Sequence, residues 1–302
     1  MTDIKKKKKG KDDIQWHPAF VVALKLTLID YDDVLEYKLE HPLNTGSLKI
    51  DVMVVKKRPD AVIKKQVAEI FRKENIIEYK SPADSLTVDE FYRAFTRAML
   101  HKVLDKVDIA DMTLSFVVAV HPRELFKHLR NKLGYTAEER HPGVYVMKGA
   151  MMPIQIIDIR ELSEEENTWI RSLNRNLSEK NLLWAQDMKE KYDNRVDMNA
   201  WLQAVFTANH QAIKEIFSRE GNNMLAKEFR RTIEEIGLGA IWRQEGFEEG
   251  ELKGIKKGIE KGIEEGKLED ARAMFAEGFD IKIISRVTKI PAKTLKKKLS
   301  VQ

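Results

Sequence analysis

The 302-residue sequence contains no cysteine. Disulfides, zinc–thiolate sites and thiol nucleophiles are therefore excluded, and we expect a reducing, cytoplasmic environment. The lysine-rich start is not followed by the apolar segment of a signal peptide, and no run of about eighteen apolar residues, as a membrane helix needs, occurs anywhere. We therefore expect neither export nor a membrane partner.

Cofactor motifs and a strong charge bias are also missing. No G-x-G-x-x-G follows a predicted strand and no P-loop occurs, so a nucleotide-cofactor metabolic enzyme finds little support. The 53 Lys and Arg residues only slightly exceed the 48 Asp and Glu residues, and much of the excess lies in "KKKKKGK" and "AKTLKKKL" near the two ends. Nucleic acid is thus permitted as a partner but not required by charge alone.

Apolar periodicity predicts a basic disordered tail at 1–13 and an α/β domain at 14–162. A helix begins near Pro18, and the strand "VLEYKLE" alternates polar and apolar residues, whereas "LKIDVMVV" is apolar on both faces. The strand "NIIEYK" precedes an amphipathic helix, "TVDEFYRAFTRAML", in which Thr87 and Glu90 form a capping box. A fourth strand, a further helix and a closing pair of strands follow in "MTLSFVVAV", "PRELFKHLRNKLG", "GVYVM" and "MPIQIIDI".

Residues 163–240 predict helices only, with a capping box formed by Ser163 and Glu166. Three tryptophans are the expected core anchors of this helical domain: Trp169, Trp184 and Trp201.

Residues 241–267 contain a glycine repeat with exact spacing of four, from Gly246 to Gly266. Each glycine costs a helix roughly 0.8–1 kcal/mol relative to alanine, so this segment alone is a marginal helix. One apolar residue per turn, at Ile255, Ile259 and Ile263, offers a thin stripe for a partner such as a second copy of the chain. A homo-oligomer through this tail and a solvated linker both remain open.

Residues 268–302 have the layout of a helix-turn-helix hairpin. One helix ends at Gly278, Asp280 caps a short helix, and Pro291 opens the last one. We expect the short helix to turn Ile281, Ile284 and Val287 inward, and the last helix to offer phosphate contacts through Lys293, Lys296 and Lys297. A solvated basic hairpin is the alternative.

The tripeptide EYK occurs twice, at 36–38 and 78–80. Glu36 and Lys38 lie on the polar face of an amphipathic strand, which predicts that both side chains are solvated. Glu78 and Lys80 share one face of an inner strand, and Asp51 interrupts another apolar strand. Two carboxylates and a carbonyl, here that of Tyr79, suit Mg²⁺, and Lys80 beside the metal suits phosphodiester hydrolysis. A partly buried ion pair of Lys80 with Asp51 or Glu78 is the alternative.

The order helix, three strands, helix, strand resembles the αβββαβ, restriction-endonuclease-like core of the PD-(D/E)XK nucleases. The stretches "DIQWHPAF", "LNTGSLKIDVMVVKK" and "ENIIEYKSPADSLTVDEFYRAF" resemble the transposase-like, recombination-promoting branch. The resemblance implies that Asp51, Glu78 and Lys80 are catalytic, with Ile50 in the place of the proline of the motif. No acid lies on the first helix, so Glu40 and His17 are the weaker candidates for an additional ligand.

The resemblance implies a Mg²⁺-dependent, or Mn²⁺-dependent, DNA endonuclease of mobile-element or recombination-promoting type. Arg93 and Arg97 lie one helical turn apart after the third strand and are expected to face DNA. A catalytically inactive nuclease fold, acting as a DNA-binding or self-associating module, is the alternative. The seven histidines show no metal-ligand spacing along the chain.

Overall fold

The computed structural model describes residues 14–43, 49–58, 60–192, 196–220 and 224–299. It divides into two compact units, Met1–Ile236 and Gly237–Gln302. The tail expected at 1–13 lies outside the described residues. No helix in the described ranges is long and apolar enough to cross a membrane.

The first unit contains a mixed sheet of seven strands with helices, so the predicted α/β class is confirmed. Its α/β part contains, in chain order, α1 (Trp16–Thr27), β1 (Leu35–Pro42), β2 (Lys49–Lys56), β3 (Glu74–Lys80), α2 (Val88–Leu104), β4 (Met112–Val118), α3 (Arg123–Leu133), β5 (Thr136–His141), β6 (Val144–Lys148) and β7 (Ile154–Asp158).

The strands lie in the order β1-β2-β3-β4-β7-β6-β5. β3, β4 and β7 run parallel to one another, and the remaining neighbours are antiparallel. The apolar strands occupy the middle, and every residue of β4 is buried. β1 is an edge strand, which explains its alternating sequence, although Leu39 on its predicted apolar side is 45% exposed.

β5 was not predicted, because its sequence, TAEERH, carries none of the apolar alternation of a strand. It forms the other edge of the sheet and pairs only with β6 among the described strands. Charged residues on an edge strand protect its open hydrogen-bonding groups from pairing with other chains.

Helices cover both faces of the sheet near β3. On one face, α2 and α3 pack over a core that includes Met53, Ile76 and Phe116. On the other face, Phe20 of α1 stacks on Tyr79 of β3, with ring centroids 4.4 Å apart and an interplanar angle of 3°. Alternation along β3 therefore directs Glu78 and Lys80 toward α2, and Tyr79 toward α1.

The first unit continues with α4 (Glu164–Arg171), α5 (Glu179–Tyr192), α6 (Asn199–Ala208), α7 (His210–Glu220) and α8 (Met224–Glu235). α4 and α6 pack against α1. The rings of Trp169, Trp184 and Trp201 lie within 5.9 Å of one another, and Trp201 is fully buried, so the predicted tryptophan core is confirmed.

The capping box predicted at Ser163 is wrong. Ser163 precedes α4 but caps no backbone N–H. Its hydroxyl accepts instead from the side-chain amide of Asn167 and donates to the side-chain oxygen of Gln66, each at 3.3 Å. The box predicted at Thr87 forms in part. The Thr87 hydroxyl accepts a hydrogen bond from the Glu90 N–H, but the Glu90 side chain is engaged elsewhere.

The second unit contains α9 (Leu238–Ala276), α10 (Ile281–Thr288) and α11 (Ala292–Leu299). The glycine repeat is helical throughout, so the boundaries expected at 240/241 and 267/268 both fall inside one continuous helix. Asp280 caps α10 by accepting a hydrogen bond from the Lys282 N–H, as predicted. Ala271, Ile284 and Leu295 form the small core where the three helices meet.

One inward residue of α10 was predicted wrongly. Val287 is 61% exposed, whereas Thr288 is buried and its hydroxyl donates to the Ile284 carbonyl, 2.8 Å away. The helical spacing from Ile284 to the next inward position is therefore four rather than three.

Candidate active site

Asp51 and Glu78 lie opposite each other on adjacent strands. β2 and β3 are antiparallel with Val52 opposite Ile77, and one further step along this register brings Asp51 opposite Glu78. Residues that lie directly opposite in an antiparallel pair share a face of the sheet. The two carboxylates therefore lie at the same end of the two strands, near enough for the charge of Asp51 to raise the pKa of Glu78.

The two carboxylates differ in their exposure to water. Glu78 is 1% exposed, whereas the Asp51 side chain is 26% exposed. Burial raises the pKa of Glu78, and the nearby Asp51 charge raises it further. Arg97 and Lys80 oppose both effects, and the resulting pKa is about 7. A carboxyl poised between its charged and neutral forms near pH 7 is typical of functional sites.

Arg97 of α2 is the direct partner of Glu78. Its guanidinium donates from Nε to Glu78 Oε1 at 3.1 Å and from Nη2 to Oε2 at 2.6 Å. The Arg97 side chain is only 17% exposed. The structure therefore places Arg97 against the candidate site, whereas Arg93, one turn earlier on α2, is 67% exposed.

Lys80 is held by Glu90 from the first turn of α2. Lys80 Nζ donates to Glu90 Oε2 at 2.6 Å, and Arg93 also pairs with Glu90. The hydrogen bond from Lys80 is the main reason that the pKa of Glu90 lies below its usual range. The predicted ion pair of Lys80 with Asp51 or Glu78 is thus wrong in its partners, because α2 supplies the counter-charges for both Lys80 and Glu78.

Tyr79 lies between the two charged residues but on the opposite face. Its side chain is fully buried against Phe20, and its hydroxyl makes no hydrogen bond within the described part of the chain. Burial raises the pKa of this hydroxyl well above its usual range. The side chain is therefore a core residue, and only the Tyr79 carbonyl is available for the predicted ligand role.

The two weaker ligand candidates, His17 and Glu40, differ in how near they lie to the carboxylate pair. His17 Nδ1 is 3.8 Å from Asp51 Oδ2. Glu40 has a backbone φ of 46° and its carboxylate accepts a hydrogen bond from Lys49 Nζ at 2.7 Å. His17 therefore approaches the carboxylate pair, whereas Glu40 is engaged with its neighbour across the hairpin.

The predicted nucleic-acid contacts fall in two places. Along the outer side of α2, an open groove includes Arg93 and Arg97 in its lining, with Tyr92 and Thr96 beside them. In the second unit, α11 exposes Lys293, Lys296 and Lys297. The α11 lysines form a basic surface of the kind that contacts phosphates. The α2 groove is also lined by Asp89, and its two arginines pair with Glu90 and Glu78.

The carboxylate pair fits a hard divalent cation. Asp51 has one ion-pair neighbour in the described ranges, the ring of His17. Little positive charge near Asp51 therefore offsets its repulsion by Glu78. Arg97 uses two of the roughly four lone-pair positions of the Glu78 carboxylate and leaves the others for a metal. Asp51, Glu78 and the Tyr79 carbonyl are the groups that would hold Mg²⁺.

Comparison of the chain with protein-family models, curated proteins and solved structures finds no match. The site is therefore interpreted from its own geometry. Sequence reasoning missed Glu90 as the partner of Lys80, since the T-x-x-E pattern at 87–90 also predicts a capping box. The signal available was the position of Glu90 in the first turn of the helix that follows β3.

Proposed function

We propose that the chain is a metal-dependent DNA endonuclease of the PD-(D/E)XK type, with α1-β1-β2-β3-α2-β4 as its nuclease core. The observation that carries the proposal is the proximity of Asp51 on β2 to Glu78 on β3, with Lys80 two residues further along β3. Two carboxylates for a metal ion and a lysine beside them suit the hydrolysis of a phosphodiester.

The roles of the three residues follow from their surroundings. Asp51, partly exposed, and Glu78, buried, would hold the cation, which when bound would supply Lewis-acid activation of water and phosphate. Lys80 Nζ, oriented by Glu90, offsets negative charge that develops on the phosphate. Arg97 holds the Glu78 carboxylate in position and opposes the rise in its pKa that burial causes, because its hydrogen bonds favour the charged form.

The groove along α2 is the proposed path of the DNA backbone near the site. Arg93 is exposed there, and its partner Glu90 also binds Lys80, so the basic surface and the catalytic lysine share one acid. Phosphate contacts of this kind contribute affinity without sequence specificity.

The test is nicking of supercoiled plasmid by the purified full chain in Mg²⁺ and in Mn²⁺. We expect Asp51→Asn and Lys80→Ala to lower the rate by about 100-fold or more, since each removes charge that acts at the transition state. The matched control is Lys38→Ala, which alters the lysine of the other EYK and should leave the rate unchanged. Equal cutting by all four proteins would assign the activity to a contaminant and reject the proposal.

A second candidate function keeps the fold without the chemistry: a module that binds DNA or itself. It is favoured by the internal neutralisation of the site, where Arg97 pairs with Glu78 and Glu90 with Lys80. In that case wild type and variants would be equally inert with both metals but would bind labelled duplex DNA with the same affinity. Anisotropy titrations beside the nicking assay separate the two functions.

A further inference from the structure

A second group of polar side chains lies at the far end of α2 from Lys80 and shares no residue with the Asp51–Glu78 pair. His101 is in the last turn of α2, Asp105 follows the helix, and His41 lies near the end of β1. One ligand atom from each of the three lies within 4.8 Å of the others. His101 is 2% exposed, while His41 and Asp105 reach the surface.

Both ring nitrogens of the buried His101 face carboxylates. Its Nε2 lies 2.5 Å from Glu74 Oε2, and in the tautomer that donates to this carboxylate the hydrogen is on Nε2. In the neutral ring, Nδ1 then presents a lone pair. This buried Nδ1 makes no hydrogen bond, yet Asp105 Oδ2 lies only 2.7 Å away. In that tautomer the Nδ1 lone pair faces a carboxylate oxygen, and a cation bound by both atoms would offset their repulsion.

We propose that His41, His101 and Asp105 bind a divalent transition-metal ion, of which Zn²⁺ is the best fit. Tetrahedral zinc with bonds of about 2.0–2.1 Å separates its ligand atoms by about 3.3–3.4 Å. Asp105 Oδ2 is 3.4 Å from His41 Nε2 already, and the contact to His101 Nδ1 needs to open by less than an ångström. Two imidazoles and one carboxylate select such an ion over Mg²⁺, which prefers oxygen ligands alone.

Glu74 completes the arrangement as a positioning residue. Metal-binding histidines regularly donate their other ring N–H to a carboxylate, which fixes the tautomer and increases the basicity of the ligand nitrogen. Glu74 does this for His101 from the start of β3. Because His41 is on β1 and Glu74 on β3, a bound ion would fasten the end of α2 to both strands, one helical turn from Arg97.

The test is zinc binding by the full chain without a histidine tag, followed by calorimetry and by the visible absorption of the Co²⁺-substituted protein. We expect one high-affinity Zn²⁺ per chain, a tetrahedral Co²⁺ spectrum and a higher unfolding temperature on adding Zn²⁺. His41→Ala and Asp105→Asn alter partly exposed residues and should weaken binding at least tenfold. Glu74→Gln should weaken it by about 10–100-fold, and Glu74→Asp should restore part of the loss.

Two controls make the result specific. His141→Ala removes a histidine that pairs with a carboxylate, Glu69, at 2.8 Å but has no second histidine beside it, and should bind Zn²⁺ as wild type does. Asp51→Asn should also leave zinc binding intact, which separates this site from the proposed nuclease site. The proposal is overturned if His41→Ala binds Zn²⁺ as tightly as wild type, or if Zn²⁺ does not change the unfolding temperature. Either result would mean that no metal ion joins His41, His101 and Asp105.

Discussion

Arg97 and Glu78 form a two-hydrogen-bond ion pair across the interface between α2 and β3, with donor–acceptor distances of 3.1 and 2.6 Å. Glu78 is almost fully buried, and the Arg97 side chain is 17% exposed. The pair therefore does two things at once. It supplies the positive charge that a buried carboxylate needs, and it fixes the orientation of α2 above the residues proposed for catalysis.

Replacing Arg97 by Ala should destabilise the protein by roughly 3 kcal/mol at about pH 8, because an uncompensated carboxylate is left in the interior. At about pH 5 the loss should be smaller, since Glu78 without Arg97 has an even higher pKa and is then neutral. Urea unfolding at the two pH values measures the difference. Arg93→Ala, an exposed neighbour on the same helix, should change stability by no more than about 0.5 kcal/mol. Equal losses at both pH values would contradict the electrostatic account.

Asp51→Asn should stabilise the metal-free protein at high pH. Glu78 has a folded-state pKa of about 7, raised from 4.5, so the folded state binds more protons than the unfolded state between these values, and stability falls as pH rises through this window. Asp51 contributes to the shift, so removing its charge should lower the pKa of Glu78.

We expect Asp51→Asn to gain about 1 kcal/mol at about pH 8 and clearly less at about pH 5, where Glu78 is already protonated in the wild type. Thermal unfolding with a chelator present, at both pH values, measures this. A gain of the same size at both values would show that Asp51 acts on stability without involving Glu78.

Tyr79→Phe should leave the proposed chemistry intact and stabilise the fold by about 1 kcal/mol. The hydroxyl is buried without a hydrogen-bond partner in the described residues, so its removal relieves a desolvation penalty while the stack on Phe20 is kept. Nicking should continue at the wild-type rate, because the proposed ligand is the Tyr79 carbonyl. Phe20→Ala, which removes the stacking partner, should instead cost about 3–5 kcal/mol. Loss of nicking in a stable Tyr79→Phe protein would mean that the hydroxyl takes part in the reaction.

The buried strands could be predicted because a buried strand is built from apolar residues, and these are visible in the sequence. β2 and β4 are apolar on both faces because they have neighbours on both sides and helices above and below. β5 was missed because this edge strand is largely exposed and its sequence shows no apolar face. Its position depends on pairing with β6, which is a property of the folded chain.

Within the candidate site, the acids and the lysine were predictable because a charge in an apolar strand is rare. Their partners were not. Glu90 and Arg97 are ordinary residues of an amphipathic helix, and only the placement of α2 over β3 joins them to Lys80 and Glu78. The histidine cluster is hidden for the same reason, since His41 and His101 are sixty residues apart in the sequence.

The glycines of α9 give a last prediction, which concerns the two roles left open for the tail. A Cβ added at Gly258 or Gly262 would meet no atom within 4 Å, and the isoleucines of the neighbouring stripe, Ile255, Ile259 and Ile263, are all more than half exposed. Within one chain, nothing in the described residues therefore requires glycine at these two positions.

Gly258→Ala with Gly262→Ala should raise helicity and stabilise the second unit by roughly 0.8–1 kcal/mol per substitution, as measured by far-ultraviolet circular dichroism during thermal unfolding. If two copies associate through α9, the added methyl groups would separate their backbones, and light scattering would detect a smaller particle in spite of the higher helicity. Ile259→Ser serves as the matched variant, because it removes apolar contact without changing the backbone preference as strongly. If α9 is solvated, both variants should keep the particle mass of the wild type. If α9 associates, both should form a smaller particle, since one variant alters the glycine row and the other the isoleucine stripe beside it.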